Sequence, residues 1–172
     1  MFKNTIFRRM TALVLTLALA AAAALPGLAV YPMPIQTASE TEAVYLFNAD
    51  TGKTILNQNA GQQQYVASLT KLMTALLLLE SGKDLNGEVT VPTALTQEFR
   101  DIQNANGTTM GLRIGETVRR IDLLNAMLIV SANDAASVIA YDVGGSVLDF
   151  VKQMNARAQE LGCTGTNFTC AH

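Results

Sequence analysis

Apolar residues fill the chain's start almost without a break from Thr11 to Leu25, then thin out into short alternating and helix-spaced stretches. Ala43 to Phe47 (Ala-Val-Tyr-Leu-Phe) reads as a strand and Lys53 to Leu56 as a second one. The turn residues Asn48-Ala49-Asp50-Thr51-Gly52 lie between them, which predicts a hairpin. Gln58 to Val66 is a polar connection. The run Leu72-Met73-Thr74-Ala75-Leu76-Leu77-Leu78-Leu79 is apolar almost all the way round a helix. A helix opening at Ser68 and ended by Gly82 is therefore expected inside the protein.

Farther on, Glu88 to Val91 suits a strand, Pro92 to Phe99 a short helix, and Asn104 to Gly115, rich in Asn, Thr and Gly, a loop. Glu116 to Val130 reads as a second long helix with Ile121, Leu123, Leu124, Met127, Leu128 and Val130 as its apolar members. A third runs from beyond Ser131-Ala132-Asn133-Asp134 to Val143, stopped by Gly144-Gly145. The fourth, Ser146 to Leu161, is amphipathic: Val147, Leu148, Phe150, Val151, Met154 and Leu161 point inward, and Lys152, Gln153, Arg157 and Gln159 outward. No internal repeat is apparent. A lone hairpin is hardly a stable sheet, so more strands are expected.

The first apolar stretch changes meaning once its flanks are read. Lys3, Arg8 and Arg9 precede it, Pro26-Gly27 breaks it, and small residues at Gly27 and Ala29 make a cleavage site after Ala29. This is the pattern of an export signal at 1–29, with an uncleaved anchor as the alternative; the stretch is shorter than the ~20 residues of a membrane span. Tyr31 to Glu42 reads as a flexible lead-in, so 30–42 precedes a single domain at 43–172. A net charge of −2 argues against a nucleic-acid partner, which would demand a basic face. Cys163 and Cys170, the only cysteines, are not spaced as zinc ligands. Export permits a disulfide between them, and two free thiols are the alternative. No metal or cofactor site is visible.

Candidate chemistry sits at two places. Ser68-Leu69-Thr70-Lys71 puts a serine and a lysine on one helical face, one turn apart. A buried ammonium is costly unless it is paired or held neutral, and a neutral lysine beside a serine can make the hydroxyl a nucleophile. The simpler alternative makes Ser68 an N-cap and Lys71 a surface lysine. At the second place, Ser131-Ala132-Asn133, Ser131 could shuttle a proton while Asn133 donates to a substrate amide. Alternatively, Asn133 or Asp134 only caps the helix that follows.

Together, S-x-x-K and S-x-N resemble the active-site signature of the penicillin-binding and serine β-lactamase superfamily. The chain is most similar to the low-molecular-weight D-alanyl-D-alanine carboxypeptidases. The likeness runs through Ala67 to Thr74, Gly111-Leu112-Arg113-Ile114-Gly115-Glu116 and Leu128 to Ala135. It continues in Phe150-Val151, Met154-Asn155, Leu161-Gly162 and Thr166-Asn167-Phe168, covering about 42–172. The resemblance implies an α+β fold of the β-lactamase/transpeptidase type, an antiparallel sheet flanked by helices with a helical subdomain. Of that fold, this chain would hold only the first hairpin and the helical part. It further implies Ser68 as acylated nucleophile, Lys71 as general base, Ser131 as proton relay and Asn133 as substrate-binding residue, with the Ser68 backbone N–H as half of an oxyanion hole. The implied substrate is the peptidoglycan stem peptide ending in D-Ala-D-Ala, with β-lactam antibiotics as slowly released mimics. The implied location is extracytoplasmic, with peripheral membrane contact through C-terminal parts that the chain lacks.

The family's third motif, K-T-G, is absent; Thr51-Gly52-Lys53 and Gly52-Lys53-Thr54 have the wrong order and precede the nucleophile. The chain therefore reads as a truncated product, and an inactive fragment or a non-catalytic wall-binding module stands as the alternative function. A class A β-lactamase, the other alternative, should carry E-x-x-x-N about 35 residues past its S-x-N. That region instead reads Gly165-Thr166-Asn167-Phe168. A Ser-His-Asp hydrolase would have to use His172, and no G-x-S-x-G surrounds any serine.

Overall fold

The alternation at 43–56 folds as a hairpin. The computed structural model describes residues 39–172, so the export signal expected at 1–29 and most of the lead-in lie outside the described residues. The chain divides into two units, one reaching to Ala60 and the other running from Gly61 to His172. In the first, β1 (Val44–Asn48) pairs antiparallel with β2 (Lys53–Gln58). Register runs from Val44 opposite Gln58 to Asn48 opposite Lys53, with a bulge that leaves Ile55 over between Leu46–Leu56 and Phe47–Thr54. Asn48 closes the turn twice, its carbonyl accepting from Gly52 N–H at 3.0 Å and its Oδ1 from Thr51 N–H at 2.9 Å. Gly52 takes the left-handed φ of 67° that this closure needs. Tyr45 and Phe47, two residues apart and so on one face, stack with ring centroids 6.3 Å apart. Tyr45, Leu46, Phe47 and Ile55 are all exposed.

The second unit holds α1 (Thr70–Glu80), β3 (Glu88–Thr90), α2 (Thr96–Asn104), β4 (Thr117–Arg119), α3 (Arg120–Ile129), α4 (Asn133–Gly144) and α5 (Val147–Glu160). Its centre is α4, packed against all four other helices. Asp134 to Ala140 are buried without interruption, because small residues at Ala135, Ala136, Ser137 and Ala140 let the neighbours approach closely. Leu78 of α1, Leu95, and Leu123 and Met127 of α3 pack with Val138 and Ile139 on one side of α4. Phe150, Val151 and Met154 of α5 join Ala140 and Ala171 in a second cluster. Gly145, at φ 77°, ends α4, and the Ser146 hydroxyl caps α5 by accepting from Asp149 N–H at 3.0 Å.

Several expectations need correcting. The helix expected from Glu116 starts only at Arg120, because Thr117–Arg119 pairs with Glu88–Thr90 as a two-stranded ribbon. The β-branched Thr117 and Val118 favour that pairing, and the Thr90 and Thr117 hydroxyls meet across it at 3.0 Å. On α1, Leu72 and Leu79 are 61% and 54% exposed, so the helix is buried on one face and not all round. On α5, Leu148 is 67% exposed and Leu161, past the helix end, 49%. The inward face is instead Phe150, Val151, Met154 and Ala158, the helical spacing that Leu148 falls outside.

Polar ties hold the outer elements. Arg120 grips Asp142 of α4 with two hydrogen bonds, Nε–Oδ2 at 2.7 Å and Nη2–Oδ1 at 3.0 Å, and Lys83 adds a contact to Oδ1 at 3.4 Å. The C-terminal residues are fixed by Thr74, whose hydroxyl donates to the Ala171 carbonyl at 2.6 Å, and by Asn155, which bonds both N–H and C=O of Phe168. His172 lies 3.4 Å from Glu98, whose carboxyl also accepts from Ser137 at 3.1 Å. The hydrogen bond from His172, more than that from Ser137, holds Glu98 below the usual glutamate range against the opposing effect of burial. Among the described residues no helix is long and apolar enough to cross a membrane.

Candidate active site

Ser68 stands in a turn and not in the helix proper. Residues Ala67–Leu69 form one 3-10 turn, closed by Leu69 N–H donating to the Val66 carbonyl at 3.1 Å, and α1 begins at Thr70. Ala67 enters that turn at φ 47°, the left-handed region that a residue with a Cβ occupies at a cost of roughly 1 kcal/mol or more. The turn leaves Ser68 exposed while Lys71, on the first turn of α1, is 2% exposed. The Ser68 side chain does not cap the helix.

The second strained residue is Ser131, at φ 59° in the corner between α3 and α4. The corner is tight: the Val130 and Ala132 N–H groups both donate to the Ala126 carbonyl, at 3.2 Å each. Its effect is to aim Ser131 back across the gap, where its hydroxyl donates to Ser68 Oγ at 2.7 Å. Asn133 opens α4 without capping it; its Oδ1 accepts from Lys71 Nζ at 2.6 Å, and Lys71 Nζ also reaches Ser68 Oγ at 3.2 Å. All four residues singled out in the sequence thus meet around one ammonium and two hydroxyls, although Ser131 and Asn133 lie about 60 residues beyond Ser68 and Lys71.

Burial pushes the Lys71 amine below the usual lysine range, and the nearby Cys170 works weakly in the opposite direction. No carboxylate pairs with Lys71 among the described residues. Beside the cluster opens a cavity of about 400 Å³ lined by Val66, Leu69, Leu72, Met127 and Leu128, with Ser68, Lys71 and Ser131 as its polar members. Apolar walls with a few convergent polar groups are the common form of a small-molecule site.

Asp134 has a part that the sequence did not show. It is buried, and beyond its neighbour Ala135 N–H its carboxylate accepts three N–H groups of one loop, from Met110, Gly111 and Leu112, each at 3.0 Å. The same loop meets Asn133, whose N–H donates to the Thr108 carbonyl at 2.8 Å. An aspartate beside a helix start is the only sequence signal, and it points equally to a cap. Cys163 and Cys170 are both free thiols. Among the described residues, no three acidic, histidine or cysteine side chains gather as a set of metal ligands.

The sequence pattern described as D-alanyl-D-alanine carboxypeptidase matches residues 32–172. The chain belongs to that family. It is 33% identical over 136 residues to a D-alanyl-D-alanine carboxypeptidase of Bacillus subtilis, a match covering 77% of this chain and 33% of the relative. A D-alanyl-D-alanine endopeptidase of Pseudomonas aeruginosa is also 33% identical, over 79% of this chain and 42% of its own. Among solved structures, penicillin binding protein 5 of Haemophilus influenzae superposes with a TM-score of 0.60 at 33% identity, over 70% of this chain and 35% of that one. The chain thus spans between a third and about two fifths of the length of these curated relatives. The fold is the α+β fold of this penicillin-binding protein, in part: two small antiparallel ribbons and five α-helices among the described residues.

Proposed function

We propose that the protein is an exported serine D,D-carboxypeptidase that removes the terminal D-alanine from peptidoglycan stem peptides through an acyl-enzyme on Ser68. The observation that carries this reading is a buried lysine with no carboxylate partner among the described residues, 3.2 Å from a serine hydroxyl that opens onto an apolar cavity. Because Ser131 donates to Ser68 Oγ, the Ser68 proton is left to point at Lys71. A neutral Lys71, donating one N–H to Asn133, turns its lone pair to that proton and takes it as Ser68 Oγ attacks the carbonyl carbon between the two D-alanines. Negative charge gathers on the carbonyl oxygen, where the Ser68 backbone N–H supplies one donor. Lys71 then returns the proton through Ser131 to the departing amine, D-alanine leaves, and water resolves the ester by the same route. Asn133 holds the substrate amide.

No K-T-G occurs in the 172 residues, so none of them is assigned to the substrate carboxylate. The names of the relatives divide between carboxypeptidase and endopeptidase, and a free terminal D-alanine is the substrate that separates the two. The decisive experiment is labelling of the full-length protein with a fluorescent penicillin, followed by peptide mass spectrometry. An adduct on Ser68, absent from Ser68→Ala, is expected; an adduct on Ser131 would overturn the assignment. For export, read from Lys3, Arg8, Arg9 and the Ala29 site, N-terminal sequencing of secreted protein should begin near Val30. An intact apolar stretch in that material would mean an anchor.

A further inference from the structure

The loop between α2 and β4 reaches the site at a residue the reaction scheme does not use. A Cβ on Gly107 would stand 2.7 Å from Asn133 Nδ2, 3.0 Å from Ile102 Cγ2 and 3.1 Å from the Ile102 carbonyl oxygen. The φ of Gly107 is outside the left-handed range, so its backbone does not call for glycine; the space does. The loop cannot simply swing away, because Gly107 N–H donates to the Ile102 carbonyl at 2.8 Å and the Thr108 carbonyl accepts from Asn133 N–H at 2.8 Å. Three residues farther on, Asp134 gathers the N–H groups of Met110, Gly111 and Leu112 and pins the loop from the other end.

The consequence concerns which way the Asn133 amide faces. Lys71, charged or with its lone pair turned to Ser68, meets Asn133 as a donor, so the amide turns its oxygen to Lys71 and its NH2 the other way. That NH2 then lies 2.7 Å from where a Cβ on Gly107 would stand. We propose that Gly107 and Asp134 are positioning residues that set the Asn133 side chain and, through it, the place of Lys71 Nζ beside Ser68. This inference rests on the reading of Ser68 as nucleophile and Lys71 as base. Neither residue touches the reacting atoms. A methyl at Gly107 forces the amide to rotate or withdraw, and the 2.6 Å contact that holds the amine in line is lost.

The test is the rate of Ser68 acylation by a labelled penicillin, followed against pH in the full-length protein, for Gly107→Ala and Asp134→Asn. A displacement near 1 Å at the reacting groups costs about 10²-fold, so Gly107→Ala should lose on that order in acylation rate. Asp134→Asn, which turns an NH2 toward backbone donors, should lose about tenfold by the same displacement to a smaller degree. The second signature is directional. The Asn133 oxygen favours the charged amine, so releasing it lowers the Lys71 pKa further, and the acid limb of the rate profile should move to lower pH. The groups facing Lys71 are the neutral Ser68 and Asn133 and, from the C-terminal segment, the Cys170 thiol; the Asp134 carboxylate is turned into the loop. A merely structural role would lower the active fraction alike at every pH and leave the limb in place.

Thermal unfolding checks that the variants fold, and if Gly107→Ala does not, Asp134→Asn decides alone. Wild-type labelling at Ser68 with an unshifted limb and near-normal rate in the folded variant overturns this inference and leaves the proposed function standing. Labelling that survives Ser68→Ala overturns both.

Discussion

The two ends of α4 solve the problem of a cation near the core in opposite ways. At its C-terminal end Asp142 meets Arg120 through a two-bond fork, with Lys83 alongside. Burial is the largest influence on Asp142 and pushes its carboxyl up, but the Arg120 hydrogen bonds and charge, with Lys83, outweigh it and hold the group below the usual range. Its hydrogen bonds to Asp142 hold the guanidinium above its own. Each partner favours the charged form of the other. At the N-terminal end Lys71 is more deeply placed but donates only to neutral oxygens, and burial drives its amine down. The first arrangement ties elements together. The second loosens the amine's hold on its proton, as the proposed general base requires.

The comparison breaks most severely at Lys71. Lys71→Arg keeps a cation at the site but cannot deprotonate near neutral pH. If the N-terminal end serves chemistry, acylation of Ser68 should fall by about 10²–10⁴-fold, the range that a positioned general base contributes, while the fold persists. In the native protein the rate should climb with pH until the lowered Lys71 value is passed and then level off, since only the neutral amine accepts the proton. Penicillin-labelling kinetics with circular dichroism as a folding check measure both. An arginine variant acylated at near-normal rate would make the two ends alike.

How much of this was legible in the sequence divides along the range of the interactions. The four long helices appear in it as apolar spacing with glycine stops at Gly82 and Gly144-Gly145, because those signals are local. The Ser68–Lys71 pair appears for the same reason, one helical turn being a fixed distance. Thr117–Arg119 reads as helix in the sequence because a three-residue strand owes its existence to Glu88–Thr90, about 27 residues away, and nothing nearby announces that partner. Hydrophobicity alone points Leu148 inward, but its spacing from Phe150 and Met154 puts it outside their face. The meeting of Asn133 with Lys71 follows from the way α4 crosses α1. Family resemblance, not local pattern, suggested that these two belong together. Asp134 looks in the sequence only like a cap, since a carboxylate reaching 22 to 24 residues back to a loop leaves no trace in its immediate neighbours.

The next break is at the other end of the helix. Asp142→Asn leaves the Arg120 guanidinium, largely buried, without its charge partner. Removing one member of such a pair costs about 3 kcal/mol, less where water still reaches the survivor. Chemical denaturation should show that loss, while acylation per folded molecule stays near normal, because Asp142 lies toward the end of α4 opposite Asn133. A pH series sharpens the point. The folded Asp142 carboxyl lies below its unfolded value, so its contribution is complete above about pH 4, the ordinary aspartate value, and is lost as pH falls through the folded value. The Asn variant should therefore differ most from the native protein at neutral pH and converge with it in acid. A constant difference across that window would mean that the carboxylate's charge is not what matters.

The smallest effect is expected at Lys83, and it tests whether the C-terminal end is one strong pair or a network. Its ammonium is 3.4 Å from Asp142 Oδ1, and its side chain is 36% exposed, so water competes for both the charge and the hydrogen bond. Arg120 already occupies both carboxylate oxygens at 2.7 and 3.0 Å. What remains for Lys83 is a half-screened attraction, offset by the entropy of holding a long side chain still. Lys83→Ala should cost under about 1 kcal/mol in denaturation and vanish into error at high salt, where exposed charge interactions are screened. Arg120→Ala in the same protein should remain several times more costly at any salt concentration, because its fork is largely out of reach of the ions. If Lys83→Ala instead matched Arg120→Ala, the three side chains would act as one unit, and the C-terminal end of α4 would owe its strength to their sharing of a single carboxylate.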